Sequence, residues 1–246
     1  MPNSKNFAKL RELFNKSTYF STLLYMKKII IFIGPPGSGK GTQAKTIARK
    51  YNYAHISSGD LLRHYEVQAD IPEEDRKAIA AMHNGDLVPD WLVYKLVFKE
   101  ILDHLEKESG VVLDGVIRTL HQAEDFEEFF AQHHIAHEVL AIEIFLTDEE
   151  SFRRMTMRKI CLSCGEIYPS KESKTIPEKC IKCNGELGVR ADDKEEVIRH
   201  RIELQGNKAN QLIREFYKDL GRLETIDGMK TIEEVSEEVN TLIINS

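Results

Sequence analysis

The chain has 246 residues, 41% of them hydrophobic, and sets 34 basic against 40 acidic residues for a net charge of −6. That length supports one sizeable core with inserted lobes, and the acidic balance excludes a protein that coats nucleic acid or adheres to membranes through its overall charge. The longest apolar run, Ile29 to Ile33, falls far short of the roughly 20 residues of a membrane-spanning helix.

Residues 1–26 stand apart. Lys5, Lys9, Arg11 and Lys16 alternate with Phe7, Leu10, Leu13 and Phe14 at helical spacing, and Glu12 is the one acidic residue among them. The preferred reading is an amphipathic extension ahead of a start at Met26, which leaves the protein cytoplasmic; organelle targeting by a transit peptide is the alternative.

From Lys28 the character changes. Ile29, Ile30, Ile31, Phe32 and Ile33 form a continuous apolar run closed by Gly34 and Pro35, as in a strand buried on both faces. Similar short runs recur at Ala54–Ile56, Val111–Leu113, Val139–Leu146 and Glu224–Ile226, separated by helix-periodic segments. Strands alternating with helices predict an α/β fold with a parallel sheet covered on both faces.

The first run leads into Gly34-Pro35-Pro36-Gly37-Ser38-Gly39-Lys40-Gly41-Thr42, and a helix follows from about Lys40. A strand, a glycine-rich turn and a helix start carrying a lysine form a phosphate cradle. Gly37 and Gly39 let backbone N–H groups converge on oxygens, the helix dipole adds positive potential, and Lys40 supplies a full charge. The general pattern has Ser or Thr directly after the lysine, whereas here Gly41 intervenes before Thr42.

Between Ser58 and Gly85 the spacing predicts two short charged helices forming a small insert. Phe152 to Arg190 is too poor in apolar residues to hold a core of its own. All four cysteines lie in it as two Cys-x-x-Cys pairs, Cys161/Cys164 and Cys180/Cys183, fifteen residues apart. Four thiolates so spaced predict a tetrahedral structural Zn²⁺ site, with free thiols or a redox pair as the alternative. Asp192–Leu220 reads as one long helix with Val197, Ile198, Ile202, Leu212, Ile213 and Phe216 on its buried side, and Ile232–Ile244 as a last helix.

Ordered segments across about 220 residues carry a resemblance: Gly34–Gln43, His55–Arg63, Gly85–Asp90, Leu113-Asp114-Gly115 with Arg118-Thr119 and Gln122-Ala123, the cysteine segment, and Arg190-x-Asp192-Asp193. On them the chain resembles an adenylate kinase of the long type with a zinc-bearing lid. The resemblance implies a P-loop NTPase-like five-stranded parallel sheet in a kinase core of residues 27–246. That core would contain an NMP-binding helical insert at 57–86 and a zinc-ribbon lid at 152–191. It also implies reversible Mg-dependent phosphoryl transfer from ATP to AMP, by a monomer with no nucleic-acid or membrane partner.

Carried onto these residues, the resemblance gives ATP to Gly37, Ser38, Gly39, Lys40, Gly41, Thr42, Arg154 and Arg158, with Arg154 against the donor adenine. It gives AMP to Ser58, Arg63, Arg118, Gln122, Arg190 and Arg201. The catalytic set is Lys40, Arg118, Arg158, Arg190, Arg201 and Asp114, the last orienting Mg²⁺ through water. The residue chemistry agrees, since phosphoryl transfer asks mainly for positioning and positive charge, and the planar arginine fork matches phosphate oxygens.

Two departures stand out. The family's Asp-Gly-Phe-Pro-Arg-Thr is here Asp114-Gly115-Val116-Ile117-Arg118-Thr119, which predicts a trans peptide before Ile117 and a shifted path for Arg118. Ala209-Asn210-Gln211-Leu212 replaces the usual Thr-x-Pro-Leu, so the helix is expected to run straight through. Alternatives are therefore a sister kinase accepting UMP, CMP or GMP, or a non-catalytic nucleotide-binding protein; a zinc-ribbon nucleic-acid binder comes last. His133, His134 and His137 are read as surface histidines, Trp91 as a partly buried packing residue, and Glu149-Glu150 and Glu233 to Glu238 as solvated helix faces.

Overall fold

The computed structural model describes residues 26–107, 109–168, 176–190 and 193–246. The expectations for residues 1–25 and for Asp192 lie outside the described residues.

In chain order the first half holds β1 (Ile29–Ile33), α1 (Lys40–Tyr51), β2 (Ala54–Ser57), α2 (Ser58–Glu66), α3 (Glu73–His83), α4 (Asp90–Leu105), β3 (Val111–Asp114) and α5 (Leu120–Gln132). There follow β4 (Val139–Phe145), α6 (Asp148–Met157), β5 (Lys159–Cys161), β6 (Ile167–Tyr168), β7 (Leu187–Gly188), α7 (Glu195–Gln205), α8 (Asn207–Asp219), β8 (Leu223–Asp227) and α9 (Ile232–Asn245). Five strands pair in parallel in the order β2-β3-β1-β4-β8, as the apolar runs predict.

The unbroken run at β1 follows from its central place. Ile29, Ile31 and Ile33 face one apolar cluster with residues of α4, α5 and α8, while Ile30 and Phe32 face another with α1 and α9. All five are buried, and each contributes about 1.5–3 kcal/mol of transfer free energy. Parallel pairing brings the carboxyl ends of β1, β2 and β3 to one edge, where Gly34, Ser58 and Asp114 begin the connections that build the site.

The insert of α2 and α3 is tied to α4 by Asp75, which is 3% exposed. Its carboxylate accepts from Tyr65 Oη at 2.6 Å and Lys95 Nζ at 2.7 Å. These donors hold the Asp75 carboxyl below the usual range, the Lys95 bond foremost. The cysteine segment forms a separate antiparallel sheet, β6-β5-β7, with a miniature apolar cluster of Cys161, Tyr168 and Cys180.

Some of these expectations are corrected. Asp192–Leu220 is not one helix: α7 ends at Gln205 and α8 begins at Asn207. A Cβ on Gly206 would stand 2.4 Å from the Ile202 carbonyl oxygen and 2.7 Å from Asp148 Oδ1, so the chain passes where a larger residue would not fit. Asn207 then binds Asp148 Oδ1 through its backbone N–H at 3.0 Å and the Leu146 carbonyl through Nδ2 at 2.7 Å. The break needs no proline, and it resets the helical phase, leaving Leu212 exposed and Tyr217 buried. Trp91 is 43% exposed, more solvent-facing than expected from its place at a helix start. His133, His134 and His137 are exposed, as read. The peptide before Ile117 is trans, and Val116 and Ile117 are both buried. No described helix is long and apolar enough to cross a membrane.

Candidate active site

The loop from β1 to α1 turns through Gly37 at φ 77° and Gly39 at φ 101°, conformations that favour glycine. Gly39 caps α1 with no side-chain acceptor, so the first helical N–H groups point out of the helix toward the cleft. Ser38 is buried at the floor of the loop, and Ser151 on α6 donates to the Pro36 carbonyl at 2.5 Å, pinning the loop's outer limb.

Lys40 Nζ donates to the carbonyls of Gly34 at 2.6 Å and Pro35 at 2.8 Å. Burial is the main reason its pKa falls to about 8; Arg118, Arg201 and Arg158 push the same way, and Asp114 opposes them. A lysine amine with Arg118, Arg158 and Arg201 close enough to lower its pKa marks a site of excess positive charge suited to a polyanion.

Asp114 at the end of β3 lies 3.3 Å from His55 Nε2 on β2. The extra glycine of the loop has a physical reason here. A Cβ on Gly41 would stand 3.0 Å from Asp114 Oδ2, so its absence lets the carboxylate sit against the first turn of α1. Thr42, one residue on, lines the same cleft.

That cleft has a volume of about 850 Å³ and gathers the residues that the sequence singles out. Gly37 to Thr42, Asp114, Arg63, Arg118, Arg154, Arg158, Arg190 and Arg201 all line it. Ser58 and Gln122 line a smaller adjoining cavity of about 40 Å³, which shares Arg63, Arg118 and Arg201 with the cleft. Its apolar wall comes from Leu62, Met82, Val88, Val93 and Val116. Thr119 caps α5 by accepting the Gln122 N–H at 3.1 Å, and this sets the helix that carries Gln122.

The arginines are held by different means. Asp193, whose side chain is fully buried, grips Arg158 in a fork, with Nε at 2.8 Å and Nη2 at 2.5 Å, and stands 3.6 Å from Arg201 Nη1. Arg63 pairs with Asp60 at 2.6 Å. Arg154 donates to Glu150 Oε1 at 2.7 Å and to the Gly228 carbonyl at 2.9 Å. Glu150 is thus no solvated face. Its side chain is 12% exposed, and hydrogen bonds from Arg153 and Arg154 draw its carboxyl down to about 2.

Reading the sequence assigned no role to Asp193, Glu150, His55, Gln205 or Asp90. Asp193, His55 and Asp90 lie inside the segments that carry the resemblance, and for Asp193 a carboxylate among arginines was a usable signal. Glu150 stands three and four residues before Arg153 and Arg154, a helical ion-pair spacing that is also legible, whereas Gln205 acts across 87 positions and leaves no local pattern.

In the cysteine lobe, Sγ of Cys161, Cys164, Cys180 and Cys183 lie within 4.8 Å of one another, with Cys161 to Cys183 at 3.4 Å and Cys164 to Cys180 at 3.6 Å. Four sulfurs around one Zn²⁺ stand about 3.8 Å apart for Zn–S bonds of about 2.3 Å, so the set fits that ion. Tyr168 donates to Cys180 Sγ at 3.3 Å, a bond that favours the thiolate a metal requires. Gly165 and Asn184 take left-handed conformations at the two knuckles. Cys161 and Cys164 also line the main cleft, so the lobe faces the phosphate loop.

The family model described as Adenylate kinase matches residues 32–222. A relative named adenylate kinase from Archaeoglobus fulgidus is 41% identical over 219 residues, covering 87% of this chain and 97% of its own. Relatives of the same name from Fervidobacterium nodosum and Pyrococcus abyssi are 40% and 36% identical, covering 84% and 87% of this chain and 93% and 94% of theirs. The matched span takes in the phosphate loop, the arginines of the cleft, the smaller cavity and the sulfur cluster, and with relatives this similar along most of its length this chain belongs to the adenylate kinase family.

Proposed function

We propose that the chain catalyses reversible, Mg-dependent phosphoryl transfer from ATP to AMP, giving two ADP. The observation that carries this reading is the single cleft joining a lysine-bearing glycine loop, Asp114 and a ring of arginines to a smaller cavity ending at Gln122. The loop N–H groups and Lys40 hold the donor phosphates, with Arg154 beside the donor base. Arg63 and Arg118 grip the acceptor phosphate, and Ser58 and Gln122 meet its base. Arg158, Arg190 and Arg201 face the transferred group from the far side. The acceptor oxygen is already ionised, so the residues need only align it and balance charge.

Asp114 and Thr42 would hold the Mg²⁺ that accompanies ATP, an ion that neutralises charge on the phosphates when bound. Residues 57–86 serve as the acceptor insert and residues 152–191 as the lid, closing to exclude water, the competing acceptor. The enzyme works in this reading as a cytoplasmic monomer on two nucleotides, with neither nucleic acid nor membrane as partner. A reducing compartment also suits four cysteines committed to a metal.

Zinc on the four cysteines stiffens the lid without entering the chemistry. Cys180→Ser is therefore expected to reduce bound zinc and lower the melting temperature by about 5 °C or more, while changing kcat at low temperature by less than about threefold. Metal analysis, thermal melts and assays on the same preparation check this.

Val116 and Ile117, where the family has Phe-Pro, favour one second reading, a changed acceptor, because Val116 walls the acceptor cavity. The test is incubation with ATP, Mg²⁺ and each of AMP, UMP, CMP, GMP and dAMP, with Lys40→Ala as control. ADP formed with AMP above all others supports the proposal. Preference for another monophosphate selects the second reading, and no transfer to any acceptor despite bound ATP defeats both.

A further inference from the structure

We infer that Gln205 is a positioning residue that aims Arg118 at the acceptor phosphate; the role rests on the reading of Arg118 just given. Gln205 closes α7, is 8% exposed, and lines both cavities. Its Oε1 accepts from Arg118 Nη1 at 3.0 Å across 87 positions of sequence.

Arg118 is fixed on its other sides by neighbours in the acceptor region. Nε donates to the Gly115 carbonyl at 2.9 Å, and Nη2 approaches Ser58 Oγ at 3.4 Å. The backbone N–H donates to Gln122 Oε1 at 2.7 Å, and Gln122 Nε2 donates to Asp90 Oδ1 at 2.7 Å. A guanidinium is planar with its donors in a rigid fork, so acceptors at Nε, Nη1 and Nη2 together define its plane. Gly115 and Ser58 supply two of them from the strand ends, and Gln205 brings the third from α7, the helix that also carries Arg201.

The support itself is rigid. Gly206 leaves no room for a Cβ, Asn207 is bonded to Asp148 and Leu146, and Asn210 Nδ2 donates to the carbonyls of Gln205 at 2.7 Å and Gly206 at 2.8 Å. The helix break that no proline explains thus has a use, which is to hold the last side chain of α7 against Arg118. A neutral amide suits this task. It orients the fork without the strong ionic competition that a carboxylate would offer to an incoming phosphate.

The test varies AMP and ATP separately for Gln205→Met, which keeps length but loses the acceptor, and for Gln205→Glu, which keeps an acceptor and adds charge. Each is made alone and with Arg118→Ala. Gln205→Met is expected to lower kcat/KM for AMP by about tenfold while KM for ATP stays within about twofold. Gln205→Glu is expected to lower it further, and neither should add a loss in the Arg118→Ala background. Equal effects on AMP and ATP, an undiminished loss without Arg118, or unchanged AMP kinetics would overturn the assignment. Should Gln205→Met melt early, Gln205→Glu carries the same comparison. Normal AMP kinetics in Arg118→Ala would sink the reading of Arg118 itself, whereas impaired Arg118→Ala beside a normal Gln205→Met removes only the role of Gln205.

Discussion

Lys40→Met is expected to reduce phosphoryl transfer by roughly a hundred- to a thousandfold while leaving the fold at least as stable as the parent at pH 7. The rate loss follows from the proposed grip of Lys40 on the donor phosphates, a preorganised charge in a site shielded from water. The stability follows from the sign of its pKa shift. The folded value of about 8 lies below the ordinary 10.5, mainly through burial, so the fold disfavours the ammonium. That burden is fully present below about pH 8 and fades as pH rises toward about 10.5, the window in which the unfolded chain binds the proton better. Methionine removes the buried charge, and the lost bonds to the Gly34 and Pro35 carbonyls offset part of the gain. In the parent enzyme, kcat/KM for ATP is expected to fall as pH rises through about 8, because that ratio reports the free enzyme, whose Lys40 is then losing its proton. Rates and melts of the two proteins between pH 7 and 10 check the whole argument; a flat kcat/KM profile across this range would contradict it.

Asp193→Ala is expected to give the largest loss of stability, about 3–5 kcal/mol in denaturant unfolding, with activity reduced as well. Its carboxylate is fully buried and grips Arg158, itself 13% exposed, through two hydrogen bonds, with Arg201 close by. Removing one side of such a pair strands a buried cation with no counter-charge, and that desolvation cost exceeds what the intact pair contributes. Asp193→Asn keeps an acceptor oxygen and should lose less. A change below about 1 kcal/mol for the alanine variant would mean that water or another carboxylate replaces Asp193, against its burial here.

What could be read from the sequence was what local chemistry dictates. Ile29 to Ile33 announce a central strand because a five-residue run of β-branched and aromatic side chains closed by Gly34 and Pro35 is too short for a buried helix. Gly37, Gly39 and Lys40 announce a phosphate loop because the turn, the helix start and the charge are contiguous. The cysteine spacing is legible for the same reason. The break at Gly206 was not, since its cause lies at Asp148 and Leu146, some 60 positions away. Missing the break placed Leu212 on the buried side, because one residue of altered backbone rotates everything beyond it. Glu150 reads as a surface charge although Arg153 and Arg154 stand at i+3 and i+4 on the same helix; what its neighbours in the sequence do not state is that its side chain is only 12% exposed.

The chain's single tryptophan, Trp91, stands in α4, packed with the sheet, whereas the cysteine lobe keeps its own small cluster of Cys161, Tyr168, Cys180, Ile176 and Leu187. A melt followed by tryptophan emission alone therefore reports on the sheet and its helices and not on the lobe. Loss of the zinc proposed for that lobe, followed by fraying, would pass unseen in that signal. Amide hydrogen exchange would register it as an early, metal-dependent opening well below the global transition.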